Sequence, residues 1–200
     1  MNALKKIIYV IIAIIVLFFV VGIFLPADYT LEREVTIEKP VDVVFSQVAN
    51  FENRVKWSPW AAMDPDAKNS FEGTPGEVGS KWIWEGDPQK IGMGSLEIVE
   101  LNLNENLKTK LEFVSPRAGI ANGGFTFEAV EGGTKATWHF NQKLSYPVER
   151  YLGVLLLDKM LAPSFESGLQ RLKAQCEALP EAEDDGDGEE DSTSLEEGGA

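Results

Sequence analysis

Side chains able to do chemistry are sparse in this sequence. Its 200 residues hold one histidine, His139, and one cysteine, Cys176. No serine or cysteine sits in a nucleophile signature, and no His, Cys and Asp grouping has metal-ligand spacing, so no metal and no cofactor is expected. A lone cysteine excludes an intramolecular disulfide, and Cys176 falls on an apolar stripe, where a small buried residue is expected. What remains for acid–base work is a pair of inward carboxylates. Glu85, Glu97, Glu100, Glu112 and Glu128 lie in strand-like segments. Period-two alternation turns Glu97, Glu112 and Glu128 outward, and it sets Glu85 opposite Trp82 and Trp84. Glu100, in phase with Leu96 and Ile98, is expected to turn inward. His139 lies opposite Trp138 and is expected outside.

The chemistry on offer is therefore apolar recognition. The inward candidates for ligand contact are Trp57, Trp60, Trp82, Trp84, Phe113, Phe125, Phe127, Trp138, Phe140, Met160 and Phe165, with Leu96, Ile98 and Leu111 beside them. Walls of aromatic and aliphatic residues with few polar groups bind hydrophobic small molecules. The alternative is that these side chains fill one another's space. Trp57-Ser58-Pro59-Trp60 likewise either plugs one end of the core or lines a mouth.

The elements that must position these residues follow from periodicity. Leu31, Arg33, Val35 and Ile37 alternate with Glu32, Glu34, Thr36 and Glu38, a half-buried strand. Pro40 suits a helix start, and Val41, Val44, Phe45, Val48 and Ala49 make one stripe of a short helix. A second short helix or irregular turn covers Phe51–Lys56. Asn69–Gly73, Lys81–Gly86, Gly92–Leu101, Leu107–Val114, Gly123–Val130 and Lys135–Leu144 read as further strands, giving about seven. Glu131-Gly132-Gly133-Thr134 is a tight hairpin. Val148–Leu179 is a long helix whose stripe runs through Leu157, Leu161, Phe165, Gly168, Leu169, Leu172, Cys176 and Leu179. Pro163 either kinks it or opens a new helix nearby. So wide a stripe needs a large apolar partner, and the strands supply it: an α+β domain in which one curved antiparallel sheet wraps a carboxyl-terminal helix.

Ile7–Leu25 is nineteen residues without a charge, sixteen of them Ile, Val, Leu or Phe. As a helix it is about 28 Å long, close to the roughly 30 Å hydrocarbon thickness of a bilayer. A retained transmembrane helix is expected over a cleaved signal peptide, because the run exceeds the usual signal core and Leu25-Pro26-Ala27 is a poor cleavage site. No cysteine follows it to carry a lipoprotein anchor. Residues 1–6 form a short cytoplasmic amino terminus, since Lys5 and Lys6 favour the inside. Residues 29–179 form the folded domain. Residues 180–200 carry ten acids and no base, a tail read as disordered or as a recruiter of a basic partner. Without those acids the formal charge of −14 falls to about −4, and with no basic face there is no sign of nucleic-acid binding.

The order of elements resembles the START-related, polyketide-cyclase-like superfamily with its helix-grip fold. The residues carrying the resemblance are Val35-Thr36-Ile37 followed by Pro40 and Val44-Phe45, then Trp57-Ser58-Pro59-Trp60 with Asp64. They continue through Gly79, Trp84-Glu85-Gly86, Gly92-x-Gly94, Gly133-Thr134 with Trp138, and Phe165-Glu166-x-Gly168-Leu169-x-x-Leu172. A subgroup with an amino-terminal membrane helix is similar at both ends; Pro163 and the acidic extension depart from the pattern. The resemblance implies an interior cavity for a lipid-like or other hydrophobic molecule, or else a cyclase- or dehydratase-like enzyme. With the charges at Lys5 and Lys6, a single-pass protein is expected, in a bacterial inner membrane with its domain on the non-cytoplasmic side.

Overall fold

The computed structural model describes residues 2–180; the acidic tail from Glu181 lies outside the described residues. The first element, α1 (Asn2–Phe24), is one helix, long and apolar enough to cross a membrane, a property shared with signal sequences. It leads into β1 (Asp28–Ile37). Three short helices follow: α2 (Val41–Ala49), α3 (Phe51–Trp57) and α4 (Pro59–Met63). Their breaks are written in the sequence. Pro40 precedes α2, the Asn50 side chain accepts the Glu52 N–H at 2.9 Å, and Ser58 caps α4 with Pro59 in its first turn.

Six strands come next: β2 (Lys68–Glu72), β3 (Lys81–Glu85), β4 (Met93–Asn102), β5 (Asn106–Ser115), β6 (Gly119–Val130) and β7 (Gly133–Lys143). All seven join one antiparallel sheet in the order β1-β7-β6-β5-β4-β3-β2. The β6–β7 hairpin turns on Glu131 and Gly132, the glycine at φ +82°, a conformation that side chains resist.

The chain closes with α5 (Val148–Leu152), a π-helical turn (Gly153–Leu157) and α6 (Asp158–Glu177). Pro163 lies inside α6 and does not begin a helix; the departure from α geometry is the π turn upstream of it. The buried stripe of α6 is Ala162, Phe165, Gly168, Leu169, Leu172 and Cys176. Gly168 is needed for close approach, since a Cβ there would stand 2.8 Å from Trp138 Cζ3 and 3.0 Å from Pro59 Cδ. At the edge Arg33 of β1 bridges Asp158 (3.3 Å) and Glu166 (3.2 Å), and Lys173 donates to the Thr36 carbonyl at 2.9 Å.

This helix covers only one side of the sheet. Beneath β1, β7 and β6 it forms a core with Leu31, Ile37, Val44, Phe45, Trp57, Phe125, Phe127 and Trp138. A second, smaller cluster gathers Phe51, Trp82, Trp84, Leu96 and Ile98 under β3 and β4. Two clusters under one sheet leave a seam between them.

One facing is corrected by the fold. Register shifts between Ile98 and Glu100, so this bulge leaves both Val99 and Glu100 exposed and returns Leu101 to the inner side. Glu100 thus points out and pairs with Lys108 at 2.9 Å.

Candidate functional site

The seam is a cavity of about 330 Å³, within the range of small-molecule pockets. Its walls come from both clusters. Trp82, Trp84, Leu96, Leu111 and Phe113 line the side under β3–β5, while Trp138, Phe140 and Phe165 line the other. Trp60 and Ala61 of α4, and Leu157 and Leu161 of the terminal helical run, complete it. The rings brace one another: Trp138 lies 4.3 Å from Phe165 and 5.5 Å from Trp60, and Trp82 lies 5.4 Å from Trp84. Such pairs are each worth about 0.5–1.5 kcal/mol beyond their burial. The indole N–H groups are directed to fixed partners, Trp82 to Asn69 Oδ1 at 2.7 Å and Trp84 to the Ile91 carbonyl at 3.4 Å.

Of the residues expected to contact a ligand, Trp60, Trp82, Trp84, Phe113, Trp138, Phe140 and Phe165 converge on this cavity. Four do not. Trp57 is 1% exposed and packed behind the wall, donating to the Gln47 carbonyl at 3.0 Å. Phe125 and Phe127 stack on each other in the solid core beside it. Met160 is 66% exposed, because it lies one position off the stripe on which Leu157 and Leu161 face inward. The Trp-Ser-Pro-Trp run thus divides its labour, Trp57 plugging the core and Trp60 lining the space.

The residue that sequence reasoning missed is Arg54. It recurs at three-residue spacing between Phe51 and Trp57, so the helix carries it inward with them. It lines the cavity at 4% exposure. Its guanidinium carbon lies 5.3 Å from the ring centre of Phe125, 5.4 Å from Trp57, 5.5 Å from Trp138 and 6.0 Å from Phe51. No carboxylate bridges to it among the described residues, and its buried Nη1 has no hydrogen-bond partner. Burial alone pulls its pKa down to about 9.

The other polar residues at the cavity are Ser58, Thr109, His139 and Gln142, with Lys90 at its edge. Lys90 pairs with the buried Asp64 at 2.9 Å, and Asp64 also accepts the Asp87 N–H at 2.7 Å. The Asp87 N–H and the Lys90 ammonium hold the Asp64 carboxyl below its ordinary range. No carboxylate lines the cavity among the described residues. Glu85 is exposed, as its alternation with Trp84 requires.

A second, broader groove of about 420 Å³ lies on the outer face of the sheet. There Glu32 Oε1 stands 3.1 Å from His139 Nδ1, and Thr126 Oγ1 stands 2.9 Å from His139 Nε2. The line of acid, imidazole and hydroxyl looks like a nucleophilic triad, but the surrounding main chain belongs to the β1–β7–β6 ladder. The groove also lies broad and open on the face of the sheet, and does not enclose a substrate as the cavity does. The enclosed apolar cavity is the better-formed site.

A curved sheet gripping a terminal helix around an aromatic cavity defines a domain of the hydrophobic-ligand-binding or cyclase type. The chain belongs to the family described as polyketide cyclase / dehydrase and lipid transport, which matches residues 29–177. No curated protein matches the sequence. Among solved structures, the chain is similar to a putative uncharacterized protein from Rhizobium leguminosarum, with 16% identity and a TM-score of 0.56 over 75% of this chain and 95% of that one. It is similar to the di-domain ARO/CYC BexL of the BE-7585A biosynthetic pathway, with 13% identity and a TM-score of 0.56 over 77% of this chain and 52% of that one. It is also similar to the ginseng major latex-like protein 151 from Panax ginseng, with 16% identity and a TM-score of 0.52 over 78% of this chain and all (100%) of that one. At these identities the likeness is one of fold.

Proposed function

We propose that this chain is a membrane-anchored binding module for a lipid-like or other hydrophobic small molecule. The observation that carries the reading is the 330 Å³ cavity walled by Trp60, Trp82, Trp84, Phe113, Trp138, Phe140 and Phe165. The strand glutamates Glu85 and Glu100, the acid–base candidates the sequence offers, are exposed and do not line this cavity, which favours binding over a cyclase or dehydratase reaction.

Contacts between α1 and the domain support a retained anchor. Tyr151 donates to the Phe18 carbonyl at 2.6 Å and stacks on the Phe18 ring at 4.5 Å; Tyr146 donates to the Phe19 carbonyl at 2.8 Å. Arg150 reaches the carbonyls of Gly22, Ile23 and Leu25, each at 3.4 Å, at the end of the helix where such groups lack partners. Phe18 precedes the end of α1 by about 9 Å at 1.5 Å per residue, the depth of an interfacial aromatic belt. Beside these contacts Val148, Leu152, Val154, Leu155 and Met160 are all exposed, an apolar skirt suited to the same interface. On this reading Lys5 and Lys6 keep the amino terminus inside, and the domain lies on the non-cytoplasmic face of a bacterial inner membrane.

The test uses the full chain in lipid nanodiscs titrated with the neutral probe N-phenyl-1-naphthylamine against empty discs. Saturable binding is expected, with loss in a Leu111→Trp variant that fills the cavity. A titration equal to that of empty discs overturns the binding reading. Mass spectrometry of the native membrane protein tests the anchor: the mass should include Ile7–Leu25, and an amino terminus at or beyond Ala27 overturns it.

A further inference from the structure

We infer that the cavity takes an amphipathic acid, whose carboxylate or phosphate pairs with the Arg54 guanidinium while its apolar body lies against Trp82, Trp84 and Phe113. This inference rests on the binding reading above and names the chemistry of the ligand's head.

The physical reason is an imbalance. A guanidinium has five N–H donors and no acceptor function. Arg54 is 4% exposed and lines the cavity, yet its Nη1 is buried without an acceptor. The rings of Phe51, Trp57, Phe125 and Trp138 lie 5.3–6.0 Å from its carbon and attract the positive charge, but a ring face does not satisfy the fork of N–H groups. An uncompensated buried cation opposes folding, and an apolar side chain of the same length would pack there without that penalty. A carboxylate or phosphate is the partner that matches the fork, forming paired charge-assisted hydrogen bonds in a site lined mostly by aromatic and aliphatic side chains. The closed aromatic wall then selects a body with apolar faces.

Other charged groups do not take this role. Glu52 and Lys56 of α3 and Glu166 of α6 are exposed; His139 of β7 borders the cavity, but both its ring nitrogens are engaged by Glu32 and Thr126 on the outer face. Cys176 of α6 is buried with its thiol raised to about 12. Lys90 is already held by Asp64, which raises its pKa above the ordinary lysine value, so it stays charged where Arg54 loses its proton.

The experiment is calorimetry of the full chain in nanodiscs with three probes of one body: 2-naphthoic acid, 2-naphthyl phosphate and the neutral 2-naphthalenemethanol. Both acids should bind at least tenfold more tightly than the alcohol, and the tighter of the two identifies the headgroup. Arg54→Met should erase that preference, the two acids losing at least tenfold in affinity and binding no more tightly than the alcohol does to the same variant. A readout needing no variant is the pH profile of the native chain. Affinity for 2-naphthoic acid should fall as pH rises above about 9, while affinity for the alcohol stays flat. Equal affinity of acid and alcohol, an acid preference that survives Arg54→Met, or a flat acid profile overturns the inference and leaves the binding reading standing. Failure of the three probes together with N-phenyl-1-naphthylamine removes both.

Discussion

The ammonium of Lys90 donates a 2.9 Å hydrogen bond to the carboxylate of Asp64, a side chain only 4% exposed. That bond fastens the β3–β4 loop, which carries Ile91 at the cavity edge, to the end of α4. Asp64→Ala should loosen the loop. Amide hydrogen exchange at residues 87–92 should quicken by roughly tenfold, since the Asp87 N–H also loses its acceptor. In the native chain the folded-state carboxyl titrates below its ordinary value, so the clamp is present above that value and is lost as pH falls through the lowered one. Protection of this loop, corrected for the intrinsic pH dependence of amide exchange, should therefore stay high at neutral pH and drop only in strong acid.

Gly94 faces Trp84 across the β3–β4 pair, and a Cβ there would stand 2.4 Å from Trp84 Cζ2 and 2.6 Å from the Glu112 carbonyl. Gly94→Ala should drive the indole towards the cavity, at a cost of about 1–3 kcal/mol for an overpacked site. Thermal unfolding should show a lowered Tm, and N-phenyl-1-naphthylamine should bind more weakly.

Arg54→Met should raise stability, on the order of 1–4 kcal/mol, because it removes a buried charge without a partner. The sign with pH is distinctive. The folded-state pKa of about 9 lies well below that of an exposed guanidinium, so the unfolded chain holds more protons between the two values. The native chain should gain stability as pH climbs from about 9, and the advantage of the variant should shrink over the same interval. Denaturant titrations at pH 7 and pH 10 measure both effects.

Cys176 is 0% exposed, and burial pushes its thiol up to about 12. Ellman's reagent should fail to label the native chain at pH 8 and should label it fully in denaturant. Labelling at the rate of a free thiol in the native state would contradict this packing.

Much of the fold was legible because its signals are local and periodic. Two-residue alternation correctly set Trp138 and Phe140 inside with His139 out, and it placed Trp82 and Trp84 together against Glu85. Where periodicity broke, so did the reading. A bulge after Ile98 sent Glu100 outward, and no residue type in Ile98-Val99-Glu100 announces the extra residue. Met160 was counted inward by type, although the stripe through Leu157 and Leu161 excludes it. Arg54 was passed over because a charged residue on a short helix is ordinarily solvated; only its spacing with Phe51 and Trp57 pointed inward. The cavity itself was illegible, since its volume is a difference between the space under the sheet and the side chains that fill it.

The π turn at Gly153–Leu157 joins two duties of one helical run. Ahead of it Tyr146, Arg150 and Tyr151 hold α1; at its end and just beyond, Leu157 and Leu161 form part of the cavity wall. The contacts to α1 and the cavity wall thus share a lever with a widened turn at its fulcrum. Removing one residue from that joint would rotate the contacts to α1 against the cavity wall by about 100°.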